Sequence, residues 1–532
     1  MSWSEVSSRS SLAGSCQVTA TEPATAPTDS LGRTSKRWVL AAAILGSGIV
    51  FLDGTVVNVA LPRIGRDLPS HLLGTLEAQT YVYSGYLLTL SALLVAAGAL
   101  SDEYGRRRTF VIGLAGFGLA SLLCGLAPSI ELLIVFRVLQ GAAGALLVPG
   151  SLSLLRVNFE GEEQGRAYGL WAAGTSLMVV AGPFLGGVMV DTIGWRAAFL
   201  INVPLVAVAV YAALSHVPES RDEEAPKGFD WIDAGLFALA VGGLSFGTIY
   251  GQQRDWRSPL GWLLVALGVV SLVILPFKLR RSRHPLVPLE LFRSRMFNTV
   301  NLSSIVIYGA LYVTGYYLPL YLQGVIGFTA AAAGLIGLPG SLLMILLSPR
   351  AGRVAAVTGP RPFLVAGPLL MAAGVAWYMR MPRTTAAWHL DLTRPESLLP
   401  PASYWVDLFP AVMFFGLGIA LLVTPLTAAL MTSVPARNSG VASAFNNAVS
   451  RVGPQLAGAL VFVGVSATFY SRLGAQPPGV SPLNRPLDAR WLEPALRAST
   501  DAFHLAMGLC VALLLVGAAI NLFGAQRRSA PT

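Results

Sequence analysis

Two of the charged residues inside apolar stretches of this sequence could take part in proton chemistry. Asp53 is the one acid in the run 38–62, and Arg137 lies in the run 130–155. Ionised groups are costly in a hydrocarbon environment, so Asp53 either takes up a proton or meets a cation, while Arg137 must find an acid, carbonyl oxygens or water. We therefore predict electrostatic coupling between them that tunes the proton affinity of Asp53. Two alternatives stay open: Asp53 as a hydrogen-bonding link between helices, and Arg137 as a conformational anchor on backbone carbonyls.

The scaffold that must position these residues is a set of membrane helices. Of the 532 residues, 54% are hydrophobic and 12% are charged, whereas about 25% are charged in a typical soluble protein. Apolar runs long enough to cross about 30 Å of hydrocarbon recur along the chain, without the strand-like alternation of a membrane barrel. The sequence thus predicts an all-α integral membrane protein. About fourteen spanning helices are expected, near 38–62, 78–100, 108–127, 130–155, 165–190, 195–215, 231–251, 260–279, 298–321, 330–348, 361–379, 406–430, 440–468 and 501–524.

The basic residues indicate how the chain is oriented. With a cytoplasmic N-terminus, about 23 of the 37 Lys and Arg residues fall inside and about 12 outside, which satisfies the positive-inside rule. We expect a multi-pass protein of the cell inner membrane or plasma membrane with both termini in the cytoplasm. The net charge of +10 is spread over the connections between helices and forms no single patch, which argues against nucleic-acid binding.

An internal repeat groups the helices. The fifth-helix pattern of Gly169, Gly182-Pro183 and Gly187 recurs in the thirteenth helix as Gly440, Gly453-Pro454 and Gly458. A match eight helices downstream preserves direction through the membrane and indicates two parallel-related six-helix halves separated by two inserted helices. The predicted regions are a disordered cytoplasmic tail (1–37), a first half (38–215), two linker helices with a basic cytoplasmic connection (216–297), a second half (298–524) and a cytoplasmic tail (525–532).

The connection between the second and third predicted helices carries a glycine and charge pattern. It contains Gly98, Asp102, Gly105 and Arg106 within the segment 98–108. Gly105 permits a tight turn, while Asp102 and the arginines can form a charge cluster that latches the two halves on the inside. The alternative is a basic loop that only sets orientation.

The fifth predicted helix combines small residues with a proline. Gly169 precedes the segment Gly182-Pro183-Phe184-Leu185-Gly186-Gly187. Small residues allow close contact between helices, and the proline bends the helix where moving halves would meet. Helix packing alone remains an alternative explanation of this pattern.

Two further segments complete the set of motifs, namely the stretch from Leu52-Asp53 to Pro62 and the residues Arg137, Gln140, Gly141 and Gly144. Together with the glycine and charge pattern and the fifth-helix pattern, they give the chain a family resemblance. The chain resembles the drug:proton antiporters of the major facilitator superfamily, in particular the fourteen-helix branch that exports drugs and antiseptics. The resemblance implies the major facilitator fold, multidrug efflux and proton coupling through the helix-one acid. Two positions depart from the family pattern: Glu103 stands where a base is usual, which leaves the charge pairing of the loop open, and Met178 stands where Gly is usual.

Aromatic and polar residues suggest a substrate cavity. Three tyrosines recur at four-residue spacing on one face of the ninth helix, where they would suit flat amphipathic or cationic compounds through stacking and cation–π contact, unless they serve packing alone. The middle of the last six helices contains no acid, which favours neutral, anionic or singly charged substrates. The candidate cavity residues are Tyr86, Gln140, Tyr308, Tyr312, Tyr316, Asn446 and Arg451.

The function that these features predict is proton-coupled export of amphipathic organic compounds by alternating access. We expect no enzyme activity, catalytic residue, cofactor or metal, because the sequence has no phosphate-binding Gly-rich lysine motif, no persuasive histidine base and no metal-like cysteine spacing. The expected partners are a small organic substrate, protons and membrane lipid, with no nucleic acid, and the protein is expected to be a monomer. The alternatives are a lipid or metabolite carrier of the same fold and a transport-inactive membrane scaffold or sensor.

Overall fold

The computed structural model describes residues 33–220, 231–281, 289–391, 393–434 and 439–525, which form helices and their connections with no β-strand. The predicted all-α class is confirmed. The main helices are α1 (Arg33–Asp67), α2 (Thr75–Tyr104), α3 (Arg106–Gly125), α4 (Ile130–Ala145 and Leu147–Asn158), α5 (Gly161–Thr192), α6 (Ala197–Leu200 and Asn202–His216), α7 (Trp231–Gln253), α8 (Pro259–Arg281), α9 (Arg295–Tyr321), α10 (Ala330–Leu335 and Leu338–Thr358), α11 (Arg361–Tyr378), α12 (Phe409–Thr432), α13 (Ser439–Leu473) and α14 (Ala489–Gly524).

Eleven helices within the described ranges are long and apolar enough to cross a membrane. The predicted spans 78–100, 231–251 and 361–379 coincide with α2, α7 and α11, which are not among these eleven. The number of fourteen spans therefore stays a prediction.

Several predicted helix boundaries differ from the structure. Helix α10 extends to Thr358, although its predicted span ended at 348. Helix α14 begins at Ala489, although hydropathy placed its start at 501. Its first turns are amphipathic, with Ala495 and Ala498 buried and Glu493 paired with Arg383 on the exposed side. A search for a uniformly apolar window misses such a segment. At the other end of the chain, α1 already begins at Arg33, within the predicted tail 1–37, whereas residues 1–32 lie outside the described ranges.

The packing of the helices repeats between the two groups of six. In the first group α1 packs against α5 and α6, α2 against α4, and α3 against α4 and α6. In the second group α9 packs against α13 and α14, α10 against α12, and α11 against α12 and α14. The inserted helices α7 and α8 pack against each other, and α7 also contacts α2 and α13.

Successive helices run in alternating directions. We call the side of the bundle where α1 begins the near face and the side where α1 ends the far face. Lys36 near the start of α1 pairs with Glu163 near the start of α5, and Arg295 at the start of α9 donates to the carbonyl of Phe523 at the end of α14. Gln323, just after the end of α9, donates to the Val59 carbonyl near the end of α1, so α9 runs parallel to α1. Together these contacts place the starts of α1, α5 and α9 and the end of α14 on the near face.

Candidate functional site

Asp53 lies on α1 with no exposed surface. Its carboxylate accepts hydrogen bonds from three side chains of the first half. One oxygen pairs with the Arg137 guanidinium at 2.5 Å, and the other accepts from the Gln140 amide at 3.0 Å and the Asn202 amide at 3.1 Å. Helices α1, α4 and α6 therefore meet at one buried charge, and we call these four residues the Asp53 cluster.

Further hydrogen bonds fix the orientation of this cluster. Arg137 Nη1 also donates to the Gln140 carbonyl oxygen at 2.7 Å, and Arg137 Nε donates to the Val82 carbonyl at 3.2 Å. The Gln140 amide also donates to the Ser121 hydroxyl at 2.7 Å. A buried ion pair offsets its desolvation cost only with such additional hydrogen bonds. The nitrogen Arg137 Nη2 has no hydrogen-bond partner within the described ranges.

The Asp53 cluster is balanced in charge only while the carboxylate is ionised. Adding a proton to Asp53 would leave Arg137 as an unpaired cation in a buried site, which is costly. Arg137 would then need water or a rearrangement to stabilise its charge. Protonation of Asp53 would therefore require a change in hydration or packing around α1 and α4.

Tyr86 separates the Asp53 cluster from a cavity between the two halves. The Arg137 guanidinium lies 4.1 Å from the centre of the Tyr86 ring, and the Tyr86 hydroxyl donates to the Val50 carbonyl at 3.0 Å. The cavity has a volume of about 360 Å³, and its walls come from α1, α2, α5 and α9 to α13. A movement of Tyr86 would therefore change both the shape of the cavity and its contact with Arg137.

Three of the seven predicted cavity residues line this cavity, namely Tyr86, Tyr312 and Arg451. Gln140 belongs to the Asp53 cluster, as described above. The remaining three lie elsewhere: Tyr308 is not among the residues of the cavity wall, Tyr316 bonds to Thr80 at 2.9 Å, and Asn446 donates to Asn301 at 3.0 Å.

The connection between α2 and α3 is bound to the end of α6. Gly105 has a φ of +103°, a backbone conformation that glycine adopts without steric cost. The carboxylate of Glu219 accepts from the backbone amides of Arg107 and Arg108 at 3.1 Å each, and Arg106 N donates to the Ser220 carbonyl at 2.8 Å. These contacts reach the segment just after α6 and do not involve the second half.

The predicted latch between the halves involves two further positions. The side-chain surroundings of Gly98 and Asp102 lie outside what the structure describes. The latch therefore stays a prediction.

The glycine-rich part of α5 brings the two halves together on the far face. A side-chain carbon added at Gly187 would lie 2.6 Å from the Ala330 carbonyl carbon and 2.6 Å from Ala331 Cα, both on α10. Gly334 of α10 approaches the backbone of Pro183 equally closely. Small residues at these positions permit backbone contact between α5 and α10.

The other glycines of the α5 motif have different surroundings. A side-chain carbon at Gly186 would lie 3.0 Å from Val56 Cα, and Gly182 packs on Thr55, so both glycines face α1. A carbon at Gly169 would meet nothing within 4 Å.

Additional contacts hold the halves together at the far face. Asp191 at the end of α5 accepts from the first two backbone amides of α10, Ala330 at 3.2 Å and Ala331 at 2.7 Å. Gln79 of α2 and Asn484 exchange two amide hydrogen bonds of 3.0 Å each. Amides at the start of a helix lack partners in their own helix, so Asp191 satisfies them from the opposite half.

Sequence reasoning missed several residues of these sites, among them Asn202, Ser121, Glu219 and Asp191. Asn202 and Ser121 lie inside apolar runs, and an amide or hydroxyl in such a run is a signal that could have been used. Glu219 and Asp191 lie outside the predicted apolar runs, where a charged residue is not unusual, so the sequence contained no comparable signal for them.

The chain is similar to known proteins over most of its length. The family model described as Major Facilitator Superfamily matches residues 43–458. The Tetracenomycin C resistance and export protein of Streptomyces glaucescens is 34% identical over 443 residues, which cover 82% of this chain and 78% of that protein. The Multidrug resistance protein Stp of Mycobacterium tuberculosis (strain CDC 1551 / Oshkosh) is 33% identical over 443 residues, covering 82% and 77%.

A solved structure has the same fold. It is described as a bacterial homolog of the human lysosomal transporter Spinster in an inward-facing and unoccupied conformation, and it matches with a TM-score of 0.64 at 17% identity. The match covers 94% of this chain and 100% of that one.

Proposed function

The chain belongs to the Major Facilitator Superfamily, and we propose that it exports small amphipathic organic compounds in exchange for protons by alternating access. It is a multi-pass membrane protein, and relatives that cover most of its length are named as drug or antibiotic resistance and export proteins. We place it in the cell inner membrane or plasma membrane with the near face toward the cytoplasm. In this orientation, the contacts between α5 and α10 close the side that faces outward.

The observation that carries the proposal is the Asp53 cluster. It places a fully buried acid against Arg137, and Tyr86 connects Arg137 to the cavity. When the cavity opens outward, water would reach the cluster and a proton would bind Asp53, with hydration stabilising the released Arg137. When the cavity opens inward, loss of the proton would restore the ion pair. The free energy of proton binding therefore differs between the two conformations. Coupling of proton movement to substrate transport requires this difference.

The proton gradient supplies enough driving force for this exchange. It amounts to about 1.4 kcal/mol per pH unit and about 2.3 kcal/mol per 100 mV for each charge moved. One proton can therefore drive roughly a tenfold substrate gradient for each unit of pH difference.

The experiment is dye accumulation in vesicles that contain the purified chain. The probes are two xanthene dyes, anionic fluorescein and cationic rhodamine 123, and the lumen is made acidic relative to the outside. Carriers whose near face points outward should move dye into the lumen as protons leave. Accumulation of at least one dye that disappears when the gradient is collapsed supports export, whereas accumulation of neither dye rejects it.

The variant Asp53→Asn tests the assignment of the coupling acid. It should still bind dye but should no longer accumulate it against a gradient. The matched control is Asp233→Asn, which alters another fully buried acid that pairs with Lys278 within the α7–α8 hairpin. Unchanged gradient-driven accumulation in Asp53→Asn would contradict the assignment.

Two other functions remain as alternatives, and the same preparations distinguish them. Lipid that copurifies in a fixed ratio and competes with dye would favour a lipid carrier of the same fold. Dye binding without any flux, with or without a gradient, would favour a transport-inactive scaffold or sensor.

A further inference from the structure

Arg451 brings a positive charge into the cavity between the halves. It lies in the middle of α13 and is partly buried. Among the described residues of the cavity wall it is the sole Asp, Glu, Lys or Arg. Its guanidinium lies 6.0 Å from the centre of the Phe51 ring on α1, so the side chain reaches across the space between the halves.

No carboxylate within the described ranges neutralises this charge. The salt bridges of the described residues include none to Arg451. Two buried acids of the first half already have partners: Asp53 is paired with Arg137 and Glu77 with Arg254. Tyr86 lies between the Asp53–Arg137 pair and the cavity. The Asp53–Arg137 pair has no net charge, whereas Arg451 contributes a full positive charge to the cavity wall.

An arginine at membrane depth needs an anion, carbonyl oxygens or water. Water can satisfy it while the cavity is open and empty. When a substrate fills the cavity and displaces water, a neutral or cationic substrate would leave the guanidinium without compensation. A substrate with a carboxylate, sulfonate or phenolate would instead form a charge-assisted hydrogen bond to the guanidinium.

The rest of the cavity wall indicates the shape of such a substrate. Six aromatic residues contribute to it from both halves, and flat rings stack well against such side chains. The volume of about 360 Å³ falls within the range of small-molecule sites, about 300–1,000 Å³. The aromatic residues are Phe51, Tyr83, Tyr86, Tyr312, Tyr378 and Phe415.

We propose that Arg451 is a specificity-determining residue that binds the acidic group of a planar aromatic substrate, so that this exporter selects anionic aromatic compounds over cationic ones. The inference rests on the proposed export function and narrows its substrate class. It goes beyond the earlier expectation from the missing acids, which left neutral, anionic and singly charged compounds open. The new element is an unneutralised cation inside the cavity itself.

The test measures equilibrium binding without a gradient. The purified full-length chain in detergent is titrated against fluorescein and against rhodamine 123, and binding is followed by fluorescence anisotropy. These dyes share a xanthene ring system and differ in the sign of their charge. The wild-type chain should bind fluorescein at least about tenfold more tightly than rhodamine 123, since a charge-assisted hydrogen bond contributes about 1.5 kcal/mol or more.

Three variants assign the effect to Arg451. Arg451→Gln should lose about tenfold in fluorescein affinity while rhodamine 123 binds equally or better, and that retained binding shows that the cavity is still folded. Arg451→Lys should keep part of the preference because it keeps the charge. Arg472→Gln is the matched control, because it removes an exposed arginine of the same helix that pairs with Asp501. Tighter binding of rhodamine 123 by the wild-type chain, or unchanged fluorescein affinity in Arg451→Gln, overturns the inference.

The two proposals can fail separately. Binding of fluorescein that depends on Arg451, without gradient-driven accumulation, would reject export and keep the anionic site. Gradient-driven accumulation of dye that does not depend on Arg451 would keep export and reject the anionic site.

Discussion

Replacing Gly187 by alanine should open the far face of this transporter. The added methyl carbon would lie 2.6 Å from two backbone carbons of α10, whereas carbon atoms in contact normally lie about 3.5–4.0 Å apart. Helices α5 and α10 would have to separate by about 1 Å at this point. No rotation of a side chain can relieve the clash, because both neighbouring atoms belong to the backbone of Ala330 and Ala331.

The size of the effect follows from the cost of overpacking. Inserting a methyl group into a packed site costs about 1–3 kcal/mol. The cost applies only to the conformation in which α5 and α10 touch, so the equilibrium should shift toward the far-open conformation by roughly 5- to 150-fold. The gain in helix propensity from Gly to Ala, about 1 kcal/mol, is common to both conformations and cancels.

The assay is electron–electron distance measurement between spin labels on the two halves. Labels at Ile193 and Leu399, which are 77% and 76% exposed at the far face, report the separation after the three native cysteines have been replaced. Gly187→Ala should increase the population of the long distance. Gly169→Ala is the control, because it adds the same methyl group to the same helix where nothing lies within 4 Å. A distance distribution in Gly187→Ala that matches wild type, or an equal shift in Gly169→Ala, would refute the reasoning.

Two further predictions concern ion contacts. Asp191→Ala removes the acceptor for two backbone amides of α10. It should favour the far-open conformation by about 1 kcal/mol, or about fivefold, a modest effect because Asp191 is exposed. The same labels measure this shift, and Asp67→Ala, whose partner lies in its own helix, should have no such effect. Arg254→Met removes the partner of Glu77, which is 1% exposed and lies 3.1 Å from Arg254. The free energy of unfolding should fall by about 2 kcal/mol. This loss is smaller than for a fully buried pair because Arg254 is partly exposed. Thermal unfolding in detergent checks this, the exposed Arg257→Met serves as control, and equal unfolding midpoints in the two variants would contradict it.

The sequence by itself determined the fold class and the family. Long apolar runs are sufficient for helices in a membrane because backbone hydrogen bonds must be satisfied within the segment. The recurrence of the Gly182-Pro183 pattern as Gly453-Pro454 indicated two related groups of helices, and the packing of the helices repeats accordingly. Charges in apolar runs also singled out Asp53 and Arg137, which the structure brings into contact.

The sequence also contained information that was not used. Gln140 lies three residues after Arg137, so both side chains share one face of α4. The structure accordingly places Gln140 in the Asp53 cluster. Its assignment to the cavity ignored this spacing.

Only the tertiary structure decided which distant residues meet. Asn202 contacts Asp53 across 149 positions of sequence, and Asp191 caps a helix of the opposite half. Hydropathy describes the transfer of single residues into an apolar environment. The contacts depend instead on which helix faces oppose each other and on the conformation of the carrier, so hydropathy does not predict them. The sequence predicted Arg451 as a cavity residue, and it lines the cavity. Its separation from every carboxylate of the described residues followed only from the packing of the two halves.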